Sequence, residues 1–304
     1  MRVTNSERIN RLSIKKYTIQ IAQVGGRIVL LLVSAMLFTW LFLLPVIVYL
    51  LFDESNVTSF DEVFRHPLFL EASMWAQFAG IIFAVIMMSS VCERTQNGLL
   101  GFTRGHIGRH VIYGMWIGFL LITVVGALIF ISGSLAIVEV HMDQALFKLI
   151  AKGFMIFIAV SLSEELFCRG YLQGLCRYQY GSFAGIWIPT AVFAGLHVCN
   201  PGVWDSPLGF INLLLAGIML GICRERTGTL WMPIGIHLTW NFVQGYVYGF
   251  QVSGQFTPSI LVIEPSGSVV LSGGEFGAEG SLYATIVLIA CIVYFYKYDS
   301  SKRR

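Results

Sequence analysis

Six long apolar runs without Lys, Arg, Asp or Glu read directly as spans: 28–52, 72–91, 111–138, 206–223, 230–250 and 280–296. About 17–25 apolar residues cross a hydrocarbon core as helix, and a backbone in lipid must satisfy its own hydrogen bonds, so such runs dictate a bundle of membrane helices. Two further stretches, 148–176 and 182–200, are nearly as apolar but interrupted by ionisable groups, which brings the expected spans to eight. Composition agrees: 56% of residues are hydrophobic and 12% charged, with mean hydropathy +0.73, where soluble domains hold about 25% charged residues. The expected fold is all-α, a polytopic membrane helix bundle.

Loop charges orient that bundle. With eight spans, one side collects 16 Lys/Arg: six within residues 1–27, then Arg94, Arg104, Arg109, Arg177, Arg224, Arg226, Lys297, Lys302, Arg303 and Arg304. The other side holds Arg65, Lys148 and Lys152 against eleven acids, so both termini are expected to be cytoplasmic. The expected organisation is a basic arm (1–27), a single membrane-embedded domain (28–297) and a basic tail (298–304). The first apolar run, 25 residues long, exceeds the roughly 7–15 of a signal-peptide core and is read as the first span. The net charge of +3 sits where anionic headgroups lie, and no nucleic-acid partner is implied. Six cysteines without a CxxC pair read as small buried apolar residues. Gly114/Gly118 and Gly217/Gly221 have the spacing of close helix contacts. Segment 251–279, with Pro258, Pro265 and several glycines, has no helical period and reads as an extracytoplasmic loop or lid.

Against this apolar background, Glu164, Glu165 and Arg169 stand out. One ionised side chain in a span costs about 2.5–3.5 kcal/mol on insertion scales, so three within six residues require partners, water or a chemical purpose. Glu165 and Arg169 lie four apart, acid first, and are expected to form an ion pair. Glu164 then points about 100° away and lacks a local partner. Downstream, His197 lies one turn from Phe193, and His237 one turn from Asn241. A carboxyl beside an imidazole can act as general base on water. A histidine and an asparagine on one helix face can donate to the oxyanion formed when that water attacks an amide. The implied reaction is peptide hydrolysis inside the membrane. His66, His106, His110 and His141 read as solvated loop residues.

These residues form three motifs in order: EExxxR at Glu164–Arg169, FxxxH at Phe193–His197 and HxxxN at His237–Asn241. In this the chain resembles the CAAX-protease and bacteriocin-processing family of intramembrane proteases, over about residues 148–250. The resemblance implies that Glu164 and His197 activate water, that His237 and Asn241 form the oxyanion site, and that Glu165, Arg169 and Phe193 support them. It also implies a peptide or protein substrate, contact with membrane lipid, and location in a bacterial or archaeal plasma membrane. A metal-free mechanism is favoured. Zinc remains the alternative cofactor, because Glu164, His197 and His237 would be a His₂Glu ligand set, although HExxH is absent and three spans would have to supply the ligands. Two non-enzymatic alternatives stand beside the protease: a transporter or proton relay, for which no inverted repeat is visible, and an immunity or scaffold protein. One difficulty arises from the spans themselves. Glu164 falls in the cytoplasmic half of the fourth, and His197 toward the opposite end of the fifth, unless the fourth helix tilts or the stretch 178–185 re-enters the membrane.

Overall fold

The computed structural model describes residues 5–52, 60–92 and 99–298, with side chains omitted for 5–17, 19, 60 and 61. Arg94 and the tail residues Lys302, Arg303 and Arg304 lie outside them. By contact the chain divides into two compact units, Met1–Gln96 with Tyr178–Gly181, and Asn97–Arg177 with Ser182–Arg304.

The first unit is built on α1 (Asn5–Phe52), α2 (Phe60–Arg65) and α3 (Pro67–Val91). The basic segment from residue 5 onward continues into the first apolar run as one helix. Pro67 opens α3, where its missing N–H costs nothing, and the His66 Nδ1 accepts from the Leu68 amide at 3.2 Å. A Cβ at Gly80 would lie 2.8 Å from the Thr39 amide, so this glycine lets α1 and α3 approach closely. Leu43, Leu50, Val63, Phe69 and Ala76 pack in the interior, while Met36, Leu37 and Leu41 face outward.

The second unit contains α4 (Ile107–Ile131), the strand β1 (Leu135–Val140), and all but the last three residues of one continuous helical run over 144–180. That run comprises α5 (Gln144–Glu165), a π-helical segment Leu166–Leu172 and α6 (Gln173–Tyr180). Next come α7 (Ser182–Leu196), α8 (Pro207–Thr227), α9 (Trp231–Phe242) with a second π segment (Val243–Val247), β2 (Leu261–Pro265), α10 (Val269–Ser272) and α11 (Leu282–Lys297). Helix starts follow capping rules: Asp143 accepts from Leu146 N at 2.7 Å, and Ser281 from Ala284 N at 3.1 Å.

Gly114, Gly118 and Gly217 of the GxxxG pairs are close contacts, while Gly221 has ordinary van der Waals room. Added side chains at Gly114 and Gly118 would meet the Met232 and Ile236 carbonyls of α9, and one at Gly217 would lie 2.8 Å from Thr190 of α7. Gly118→Leu is therefore expected to lower the unfolding temperature in detergent, since overpacking costs about 1–3 kcal/mol. Gly108→Leu, on the same helix with open space around it, is expected to leave that temperature nearly unchanged.

Five helices are long and apolar enough to cross a membrane, 20–52, 67–91, 107–131, 144–180 and 207–227, and α7 and α11 are shorter apolar helices. Together with the family match described below, they point to an integral membrane protein. Two expectations need correction. The chain is mostly helical, at 77%, but it is not all-α: β1 and β2 pair antiparallel, Leu135 with Pro265 through Val140 with Leu261, with an irregularity between Ile137 and Glu139. Accordingly the apolar run 111–138 is not a single span. Its helix stops at Ile131, Gly133 adopts φ +71°, and the residues after Ser134 turn into strand. Hydropathy registers both states alike, which is why the run looked continuous. The segment 251–279 likewise holds β2, α10 and a 3₁₀ turn (Gly274–Phe276), and a further 3₁₀ turn, Ala278–Gly280, straddles its end.

Candidate active site

The π segment Leu166–Leu172 begins directly after the paired glutamates and is buried throughout. Such segments widen a helix by one residue per turn and occur often at functional sites. Within this stretch Arg169 Nη1 donates to Glu165 Oε1 at 2.7 Å, with both side chains essentially inaccessible (1% and 0%). The expected ion pair is present. The same Oε1 receives a second interaction, from His237 Nδ1 of α9 at 2.9 Å. Glu165 thus joins two helices through one oxygen, while its Oε2 and Arg169 Nη2 have no protein partner among the described residues.

Glu164 points elsewhere, as its 100° offset requires. Its side chain keeps 29% exposure, and its Oε2 lies 3.9 Å from His237 Nε2. His237 is therefore flanked by carboxylates on both ring nitrogens. Asn241 follows one turn later on α9, also mostly buried at 8%.

Phe193 holds the third element in place. Its ring lies under the Arg169 guanidinium, 4.5 Å from centroid to Cζ, and its centroid is 4.7 Å from the His197 ring and 6.4 Å from the His237 ring. A cation over an aromatic face is attracted by the ring quadrupole. His197 begins the turn after α7, and its Nδ1 pairs with the Phe193 carbonyl at 2.8 Å, which leaves Nε2 uncommitted by that bond. The two residues of FxxxH are thus one stacked unit. Glu164 meets His237 directly, and His197 joins the group through Phe193.

The depth conflict between Glu164 and His197 does not arise in the structure. Gly185, near the start of α7, packs against Arg177 of α6. Arg169, four residues after Glu165, lies against Phe193, four residues before His197, so the two helices bring the EExxxR and FxxxH segments into one group. The helix carrying Glu164 runs on to Tyr180, four residues past the expected span end at 176, and no re-entrant segment is needed.

A residue that motif spacing missed is Glu279, from the 3₁₀ turn Ala278–Gly280. Its Oε2 accepts from both the amide and the hydroxyl of Ser253, each at 2.8 Å. Burial pushes its carboxyl above the ordinary carboxyl range, against the opposing pull of those Ser253 bonds and of His197 and His237. A raised native value favours the neutral form, so that contribution to stability is full at low pH and is lost as pH rises through the raised value. An acid among small residues in Gly277–Ser281, just before the last apolar run, was the available signal.

Among the described residues no three His, Cys, Asp or Glu side chains converge as metal ligands do. His237 Nδ1 is committed to Glu165 and His197 Nδ1 to a backbone carbonyl.

Residues 146–243 match the family described as type II CAAX prenyl endopeptidase Rce1-like. That span includes all three motifs and about a third of the chain. Among curated proteins, YpbD of Bacillus subtilis (strain 168), described as uncharacterized, is 28% identical over 95 residues. An uncharacterized 24.3 kDa protein of Escherichia coli is 26% identical over 96 residues. These alignments cover 31% and 32% of this chain and 42% and 43% of the relatives, so the chain spans less than half of each. No solved structure matches.

Proposed function

We propose that this chain is an intramembrane endopeptidase that hydrolyses peptide bonds with a carboxylate-activated water. One observation chiefly supports the reading: a partly exposed carboxylate, Glu164, stands beside a buried imidazole, His237, whose far nitrogen is fixed by a second carboxylate. The Rce1-like match over the same residues supports the reaction class.

In this mechanism Glu164 takes a proton from water as the oxygen attacks the scissile carbonyl, and returns it to the amine as the C–N bond breaks. His197 orients the water through Nε2. His237 holds Glu165 through Nδ1 and donates from Nε2 to the oxyanion, with Asn241 as second donor. An imidazolium at His237 makes the charges of Glu164, Glu165, Arg169 and His237 sum to zero, which suits a site of low dielectric. Eight crossings with both termini cytoplasmic belong to the same reading. Water reaches Glu164 because it alone of the three charged residues in EExxxR keeps exposure.

Incubation of the purified chain in liposomes with a peptide library, read by mass spectrometry, tests this. Cleavage at internal amide bonds that persists after chelation is expected. No cleavage of any peptide counts against the protease, and loss on chelation with recovery on adding zinc would replace the water-activating carboxylate with a metal.

A further inference from the structure

Ser253 adopts φ +48°, a left-handed backbone that residues with a Cβ seldom take. It is held there from two sides. Its amide and hydroxyl both donate to Glu279 Oε2, and its carbonyl accepts from Asn200 Nδ2 at 3.0 Å. Asn200 in turn donates its amide to the His197 carbonyl at 3.0 Å. A continuous path, Glu279–Ser253–Asn200–His197, therefore ties the 3₁₀ turn before α11 to the turn that carries the first imidazole. Packing reinforces the path: Gly254, at φ +79°, leaves no room for a side chain against the Pro201 carbonyl, and its amide donates to the Phe276 carbonyl at 3.3 Å. Asn212 Nδ2 donates to the Glu279 carbonyl at 2.7 Å and to the Ser281 carbonyl at 2.9 Å, which anchors the other end to α8.

We propose that Glu279 is a positioning residue for His197: it clamps the 251–255 turn against the 197–200 turn and presents a carboxylate to the imidazoles of His197 and His237. The charged groups facing it are His197, on the turn after α7, and His237, on α9; Ser253 supplies the hydrogen bonds. The clamp works when the carboxyl is ionised and accepts both Ser253 bonds, and its retention of a proton above the ordinary carboxyl range makes it sensitive to moderately acid pH.

The kinetic readout rests on the protease reading, whereas a second readout does not. In Glu279→Gln the carboxamide oxygen still accepts from Ser253, but the charge is gone. Its kcat at neutral pH is expected to fall roughly tenfold or more with KM little changed, because the imidazoles of His197 and His237 lose the carboxylate that orients them. The acid limb of the residual activity is expected to move to lower pH, since one of two carboxyls that must ionise has been removed; Ser253→Ala, which takes away one of the bonds that hold the Glu279 carboxyl down, is expected to move the limb to higher pH. Independently of any substrate, hydrogen exchange of the full chain in detergent is expected to accelerate over 251–255 and 197–203 in Glu279→Ala, with α4 and α9 unchanged. Wild-type kcat and pH profile in Glu279→Gln overturn the proposal. So does unchanged exchange in Glu279→Ala, which decides the matter even if no peptide is ever cleaved.

Discussion

Glu164→Gln is expected to lower kcat for peptide cleavage by about a thousandfold or more, within the range of 10² to 10⁴ that a positioned general base contributes. The substitution is nearly isosteric, and its side chain retains 29% exposure beside a His237 already anchored by Glu165, so the fold should tolerate it. Circular dichroism and unfolding temperature are expected to match the wild type. This contrast separates the three classes of function. In a transporter or proton relay, loss of the carboxylate alters ion flux, and no peptide is cut by either form. In a scaffold or immunity protein, neither form cuts and binding persists. Only for a protease does quantitative proteomics of membranes carrying Glu164→Gln show peptides accumulating uncut relative to the native protein. Unchanged cleavage by the variant would remove Glu164 from the role of base.

Local periodicity made part of this site legible. The spacing of Glu165 and Arg169, four apart with the acid first, predicted the pair found at 2.7 Å. The 100° step predicted that Glu164 would leave that face, and the structure turns it toward His237 and solvent. Gly114 and Gly118 announced the close approach of α4 and α9. What periodicity could not supply is how far a helix continues past its apolar stretch. The run over 144–180 extends beyond the expected span at both ends. Nor could it rank partners across helices: His237 meets both glutamates, whereas the sequence reading linked Glu164 chiefly to His197. Segments without a period were the least legible. Glu279 reaches His197 through a path of turns in which Ser253 has left-handed backbone, and neither hydropathy nor helical spacing encodes such a path.

Arg169→Met is expected to destabilise the protein more than any other single change at the site, by about 3–5 kcal/mol, the penalty for leaving one member of a buried ion pair uncompensated. Arg169 is 1% exposed, and it serves Glu165 by a 2.7 Å bond and Phe193 by a cation–π contact at 4.5 Å. With methionine in its place Glu165 remains sealed from water with only His237 for company. The loss is thus chiefly the cost of a stranded carboxylate and only secondarily that of a lost attraction. That distinction can be measured. If the stranded charge dominates, Glu165→Gln in the Arg169→Met background should recover most of the lost unfolding temperature, because it removes the charge while preserving the shape. If the attraction itself dominates, the double variant should be no more stable than the single one. Activity should not return in either case, since a neutral amide holds the His237 ring less firmly than a carboxylate and no longer balances an imidazolium. A stable but inactive double variant would therefore assign the pair to orienting His237 as well as to joining α5 and α9.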